Sequence, residues 1–590
     1  MTPLRRFFRH PRPSSVCFPS ALATFIACAA SFATSTRAAD PAELAYQIEH
    51  DVLVPMRDGV ALAANVYRPK QGDRFPVILL RTPYGKPNDT WGDAKRYTAA
   101  GYALVAQDCR GRGKSQGAWD PFRHDPDDGV DTQRWVASQP WCNGSIGTSG
   151  GSYGGWTQWS TAADAVPQVK CMVPVVPFAE VYDDIAYPGG AFQLALLMGW
   201  GAAVAGVQLS PEKLDQAYRH LPLKTLGDQF EPKVAYISEW TRHPVYDDYW
   251  KQRGIQHRFS NVTVPALNIG GWYDIFSKTT LELTDQVRDR SRDPAARRNQ
   301  VAVIGPWAHG VGARKVGELD FGDAATVSIG DLQFQWFEYW LKGATNGVQD
   351  WAAYRLFVMG ENVWRNENEW PLQRTRYTPY YLHSHGKAAT AQGDGTLDAT
   401  APGNEPADTF TYDGDQPVPT VGGNNLVGAT AGPYDQSKIE ERGDVLVYTT
   451  SPLDQDLEVT GPVKMFLHAA SSAKDTDFTA KLVDVHPDGK AYNLCDGILR
   501  ARYRKGLDSP VLLQPGKVER FEIDLWVTSN LFRKGHRIRV EISSGSFPRF
   551  DRNANSGNEL GSDTELLAAT QTVHHDAARP SHILLPVIPR

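Results

Sequence analysis

Cysteine is scarce in this chain, with six in 590 residues, and neither a Cys-x-x-Cys nor a His-x-x-x-His pair occurs. The first shortage excludes a scaffold built on disulfides, and the missing spacings match no zinc site, so no metal is expected. Long basic runs are also missing beyond the N-terminus. With a formal net charge of −6, that speaks against a nucleic-acid partner. No repeat of solenoid period recurs. What is present is ordinary: 41% hydrophobic and 22% charged residues describe a soluble globular protein. A chain of 590 residues exceeds one compact core, so two or three domains are expected.

The N-terminus stands apart. Arg5, Arg6, Arg9 and Arg12 precede an Ala-rich apolar stretch from Ala21 to Ala33, and no acid appears before Asp40. Thr36 and Ala38 supply the small residues of a cleavage site. The apolar run is too short to cross a bilayer, so residues 1–38 are expected to be a signal peptide that delivers a periplasmic or secreted protein. Arg5-Arg6-Phe7-Phe8 also suits a loose twin-arginine pattern, one that chance produces often, so the export route stays open. Loss of that segment takes five arginines with it and moves the formal charge from −6 to −11, which disfavours docking on an anionic membrane. Cys109, Cys142, Cys171 and Cys495 remain, and their pairing stays open.

From Pro41 to Tyr182 short apolar runs such as Val77–Leu80 and Ala103–Ala106 alternate with helical stretches, as a mostly parallel sheet requires. The pattern turns helical and aromatic over 183–256, which reads as a cap inserted into the sheet domain. Strand-like runs return at Ala266–Ile269 and Val301–Ile304. Leu332–Leu341 reads as a buried helix stopped at Lys342-Gly343. Beyond 353 period-two patterns dominate, as in Phe521, Ile523, Leu525 and Val527, and indicate a β-sandwich. The expected organisation is thus an α/β core over 39–182 and 257–352, a helical cap over 183–256 and a sandwich over 353–590. Gly386–Asp415 reads as a long surface connection.

Two stretches fit Gly-x-Ser-x-Gly, around Ser115 and around Ser152. A nucleophile elbow needs a strand turning sharply into a helix, with glycines where the two approach. Ser145–Ser149 followed by Trp156–Ala163 supplies that context for Ser152, whereas Ser115 lies deep in a loop. A serine hydroxyl needs a base to take its proton and an acid to orient the base. Asp274, in Gly270-Gly271-Trp272-Tyr273-Asp274, and His309, in Gly305-Pro306-Trp307-Ala308-His309, each follow a strand in the order acid, then histidine. Ser152, Asp274 and His309 are the candidate triad.

Several stretches together resemble the cocaine-esterase-like (CocE/NonD) hydrolases, relatives of X-Pro dipeptidyl peptidases and α-amino acid ester hydrolases. They are Val54–Val60, Arg81-Thr82-Pro83-Tyr84, Gly150–Gln158, Gly271–Asp274, Gly305–His309, Asp475–Phe478 and Ser546–Asn553. The resemblance implies an α/β-hydrolase core with an inserted helical cap and a C-terminal jelly roll, and no cofactor. It also implies that the Tyr84 hydroxyl and the backbone N–H of Tyr153 form the oxyanion hole, and that Trp200 and Phe276 line the substrate pocket. Near Leu426-Val427 the family carries a larger aromatic, so the acyl pocket is expected to differ in shape.

The expected activity is cleavage of small carboxylic esters through an acyl-enzyme on Ser152. X-Pro dipeptidyl peptidase, α-amino acid ester hydrolase and β-lactam acylase activities are the alternatives. Amine-recognising relatives carry acids just after the catalytic acid, where this chain has Ile275, Phe276 and Ser277; Asp183 and Asp184 are the remaining candidates for that role. A non-catalytic binding protein is disfavoured because Ser152, Asp274, His309 and Tyr84 occur together. Association into a homodimer is left open.

Overall fold

Strands whose residues are apolar at consecutive positions must be covered on both faces, and such runs form the centre of a ten-stranded sheet. The computed structural model describes residues 45–207, 209–426 and 431–590; the expected signal peptide and Val427 lie outside them. In chain order the strands are β1 (Tyr46–Pro55), β2 (Ala61–Pro69), β3 (Phe75–Thr82), β4 (Ala103–Asp108), β5 (Cys142–Gly151), β6 (Val169–Val175), β7 (Ala266–Gly271), β8 (Gln300–Gly305), β9 (Tyr354–Val358) and β10 (Val363–Glu367). Their spatial order is β1-β2-β4-β3-β5-β6-β7-β8-β9-β10. Every residue of β4, β7 and β8 is buried. Pairing is parallel from β4 through β9 and antiparallel at both edges.

Here the structure corrects one expected boundary. Residue 353 does not begin the sandwich, because β9 pairs with β8 and β10 with β9. The core sheet therefore runs on to Glu367. The helix Ile329–Lys342 ends as expected, at Gly343 in the left-handed conformation (φ 71°), which glycine adopts without penalty.

Residues 183–256 are helical, and among the described residues the cap contains no strand. The C-terminal domain holds eleven strands linked by pairing. Phe478 and Phe521, on strands that do not pair, meet with ring centroids 4.8 Å apart, as two facing layers of a sandwich do. The assumed surface connection over 386–415 is also corrected, since Thr396–Asp398 and Asp408–Tyr412 are strands. One apolar core joins β7 and β8 residues such as Leu267 and Val301 to sandwich residues such as Leu467 and Phe521. Cys109, Cys142, Cys171 and Cys495 are all free and buried. Among the described residues no helix is long and apolar enough to cross a membrane.

Candidate active site

Parallel strands deliver their loops to a single edge, and register decides which side chains meet there. Gly151 of β5 lies beside Val175 of β6, Val175 beside Ile269 of β7, and Gly271 of β7 beside Gly305 of β8. The residues that follow β5, β7 and β8 on this edge include Ser152, Asp274 and His309.

Ser152 joins β5 directly to the helix Tyr153–Ala162 and has φ 57° and ψ −118°. A β-carbon in that conformation is strained, a cost of about 1–3 kcal/mol that surrounding structure must hold. Its backbone is fixed on both sides: the N–H donates to Val175 O at 2.9 Å, and the carbonyl accepts from Gly155 N and Trp156 N. Gly150, at φ 141°, shows why the motif needs glycine, since a Cβ there would come within 2.9–3.1 Å of Leu80 Cδ1 and the Gly154 backbone. At Gly154 a Cβ would meet only ordinary contacts, the nearest at 3.6 Å; the tighter approach is at Gly155, where Pro177 lies 3.1 Å away.

Ser115 has a different task. Its Oγ donates to Asp108 O at 2.6 Å and accepts from Ala63 N at 2.8 Å. It ties the loop after β4 to β2.

His309 Nδ1 and Asp274 Oδ2 are 2.6 Å apart, with the Asp274 side chain fully buried and His309 only 12% exposed. A short charge-assisted bond of this kind fixes the ring and its tautomer. With Nδ1 held by the acid, Nε2 is the ring nitrogen left free of it. The other oxygen of Asp274 accepts from Phe276 N at 2.9 Å. A group that sequence reasoning missed completes the clamp: Asn424 Nδ2 donates to the carbonyls of Trp272 and Asp274, both at 2.8 Å. Asn424 comes from the C-terminal half, about 150 residues away, and no sequence spacing signals it.

Tyr84 lies beside Ser152. Although 41% of its surface is exposed, its hydroxyl accepts a hydrogen bond from Trp200 Nε1 at 3.2 Å and interacts with the Ser152 side chain and the Tyr153 backbone N–H. Burial of the hydroxyl end raises its pKa, so it keeps its proton. Tyr153 supplies its N–H from the first turn of a helix, where unpaired donors and the helix dipole favour negative charge. Its ring points inward, and its hydroxyl donates to Asp125 Oδ2 at 2.6 Å.

The pocket candidates also converge. Trp200, on the cap helix Leu194–Val204, stacks on Tyr153 at 6.3 Å. Phe276 lies edge-on to His309 at 5.8 Å and against Phe178 at 4.9 Å. Leu426, half-buried, packs on the apolar cluster that contains Trp200 and Phe276. Trp119 and Phe122 belong to the same wall, in contact with Trp200; they lie on an irregular loop, which carries no periodic signal. Asp184 is consumed by structure, accepting from Ala179 N, Glu180 N and Thr279 Oγ1. Asp183 accepts from Gly189 N and faces Lys278.

Comparison with known proteins places the chain in a family. The family model described as X-Pro dipeptidyl-peptidase (S15 family) matches residues 58–311. That of the X-Pro dipeptidyl-peptidase C-terminal non-catalytic domain matches residues 346–584. Cocaine esterase from Rhodococcus sp. (strain MB1 Bresler) is 38% identical over 576 residues, covering 92% of this chain and 99% of that protein. Among solved structures, an aminopeptidase from a marine sediment archaeon, Thaumarchaeota archaeon, superposes with a TM-score of 0.82 at 26% identity, covering 94% of this chain and 98% of that one. An α-amino acid ester hydrolase shares the fold, with a TM-score of 0.78 at 24% identity over 94% of this chain and 98% of that one.

Proposed function

Because the chain belongs to the cocaine-esterase and X-Pro dipeptidyl-peptidase (S15) family of serine hydrolases, we propose that it is an exported esterase acting on small carboxylic esters that carry no free amine beside the scissile bond. Ser152 Oγ attacks the carbonyl carbon while His309 Nε2 takes its proton. Asp274 stabilises the imidazolium that forms. The Tyr84 hydroxyl and the Tyr153 N–H receive the developing oxyanion, and each such donor contributes about 3–4 kcal/mol to the transition state. His309 then returns the proton to the leaving alcohol. A water, activated by the same histidine, hydrolyses the acyl-enzyme.

The preference for esters without an amine rests on one observation. The wall beside the catalytic acid is apolar, with Phe276 packed against His309, and the nearby Asp184 is already saturated with hydrogen bonds. A buried ammonium without a paired acid is strongly disfavoured. Export rests on the arginine-led apolar segment over residues 1–38.

The test is a comparison of kcat/KM for N-acetylated and free-amine versions of the same amino acid ester, alongside p-nitrophenyl esters, X-Pro anilides and β-lactams. The N-acetyl ester is expected to be turned over at least about tenfold faster, a difference of about 1.4 kcal/mol. A preference for the free amine would move the assignment to the aminopeptidase or acylase activities. Fusion of residues 1–38 to a reporter enzyme tests export.

A further inference from the structure

Where two paired strands of the sandwich end, a second cluster of chemistry-bearing side chains lies, and strand register explains how it arises. Strands Asp477–Val485 and Arg537–Ser543 pair antiparallel, with Asp484 opposite Ile538 and Val485 opposite Arg537. One step further, His486 falls opposite His536. Asp484 and His486 are two residues apart and share a face, as the period of a strand dictates. Both histidines sit on tight turns. His486 opens the turn His486–Lys490, closed by Gly489 N donating to His486 O and His486 N to Lys490 O. His536 closes the turn Arg533–His536, with its N–H on Arg533 O. The turns abut, since a Cβ on Gly535 would lie 3.9 Å from Pro487.

The result is compact. His536 Nδ1 is 2.8 Å from Asp484 Oδ1, and His486 Nε2 is 3.9 Å from Asp484 Oδ2. The imidazole centroids are 4.4 Å apart. One donor atom from each of the three side chains falls within 4.8 Å of the other two. Asp484 is buried, with Asn530 Nδ2 donating to its Oδ2 at 3.3 Å, the kind of outer hydrogen bond that orients a metal-binding carboxylate. Two imidazoles and a carboxylate form a donor set suited to Zn²⁺, with metal–ligand bonds of about 2.0–2.2 Å.

We propose that Asp484, His486 and His536 form a binding site for a divalent transition-metal ion, Zn²⁺ foremost, which fastens two turns of the sandwich together. Three protein ligands leave a coordination position for water, so the ion exchanges with solvent. This site does not depend on the substrate assignment.

The test uses the whole mature protein stripped of metal, with Zn²⁺ binding measured by titration calorimetry and Co²⁺ binding by visible absorption. The wild type is expected to take up one Zn²⁺ and to gain thermal stability on doing so. His486→Gln and His536→Gln are each expected to lose at least tenfold in affinity and the Co²⁺ absorption, while metal-free esterase turnover, which reports folding, stays at the wild-type level. The two variants stand on solvent-facing turns, so either suffices if the other fails to fold. Failure of the wild type to bind Zn²⁺, or unchanged binding in a folded histidine variant, overturns the proposal.

Discussion

A tyrosine hydroxyl serves an oxyanion only while it keeps its proton and its aim. Burial holds the Tyr84 pKa above the ordinary phenol value, and the Trp200 indole occupies one of its acceptor positions, so the proton is retained and available to donate. Tyr84→Phe is therefore expected to lower kcat by about 10²–10³-fold with little change in KM, measured on a p-nitrophenyl ester. An unchanged kcat would remove Tyr84 from the oxyanion hole. The two serines of the Gly-x-Ser-x-Gly stretches make the opposite pair of predictions. Ser152→Ala is expected to abolish turnover of a p-nitrophenyl ester and its burst. Ser115→Ala is expected to retain kcat/KM and to lose about 1–3 kcal/mol of stability in denaturant unfolding, because two backbone groups lose their partner. The strand-to-helix turn at Ser152 was legible because an elbow leaves a signature in local sequence. The place of Tyr84 beside it was legible only through resemblance, since a tyrosine in a turn has no periodic or spacing signal.

At the level of elements, the chain enters and leaves the cap at one place. Glu180 and Gly254 form a β-bridge there, and the Glu180 carboxylate accepts from Tyr246 OH at 2.9 Å and Tyr182 N at 3.2 Å. Burial pushes its pKa up from 4.5 to about 8. A raised carboxylate pKa means that folding favours the protonated form. The stability it contributes is full below about pH 4.5 and is lost as pH rises through about 8. Glu180→Gln, which keeps the hydrogen-bonding shape without the charge, is expected to flatten the fall of Tm between those limits. Parallel Tm–pH curves for the two proteins would remove Glu180 as the cause. The buried centre of the sheet was legible because β3, β4, β7 and β8 are continuous apolar runs. The edges were not. β1 is mostly exposed, and β9 and β10 are five-residue strands with no regular alternation, so pattern alone could not say which sheet they join.

Across the whole molecule, the domains share their interior and their active site. Phe192 of the cap donates its N–H to Asp551 of the sandwich at 2.9 Å, and Asp551 pairs in turn with the buried Arg500. Asn424 reaches from the C-terminal half to hold the loop that carries the catalytic acid. A misplacement of about 1 Å at such a loop costs up to about 10²-fold in rate. Asn424→Ala is expected to lower kcat by about 10–100-fold through a residue that touches no substrate, and the loss should fall on kcat more than on KM. Wild-type kcat would show that the acid loop holds itself. Such long-range coupling is invisible in sequence, because hydrogen bonds between distant segments follow no period.

The four free cysteines offer another view of the same unity. Three lie in or beside the core sheet and one in the sandwich strand Ala491–Arg500, and all four are buried. Burial raises the thiol pKa at each, which suppresses the reactive thiolate. In a protein lacking residues 1–38, modification by a thiol reagent therefore becomes a clock for global opening: no native labelling, four equivalents on denaturation, and a common slow rate for all four when the domains open as one unit.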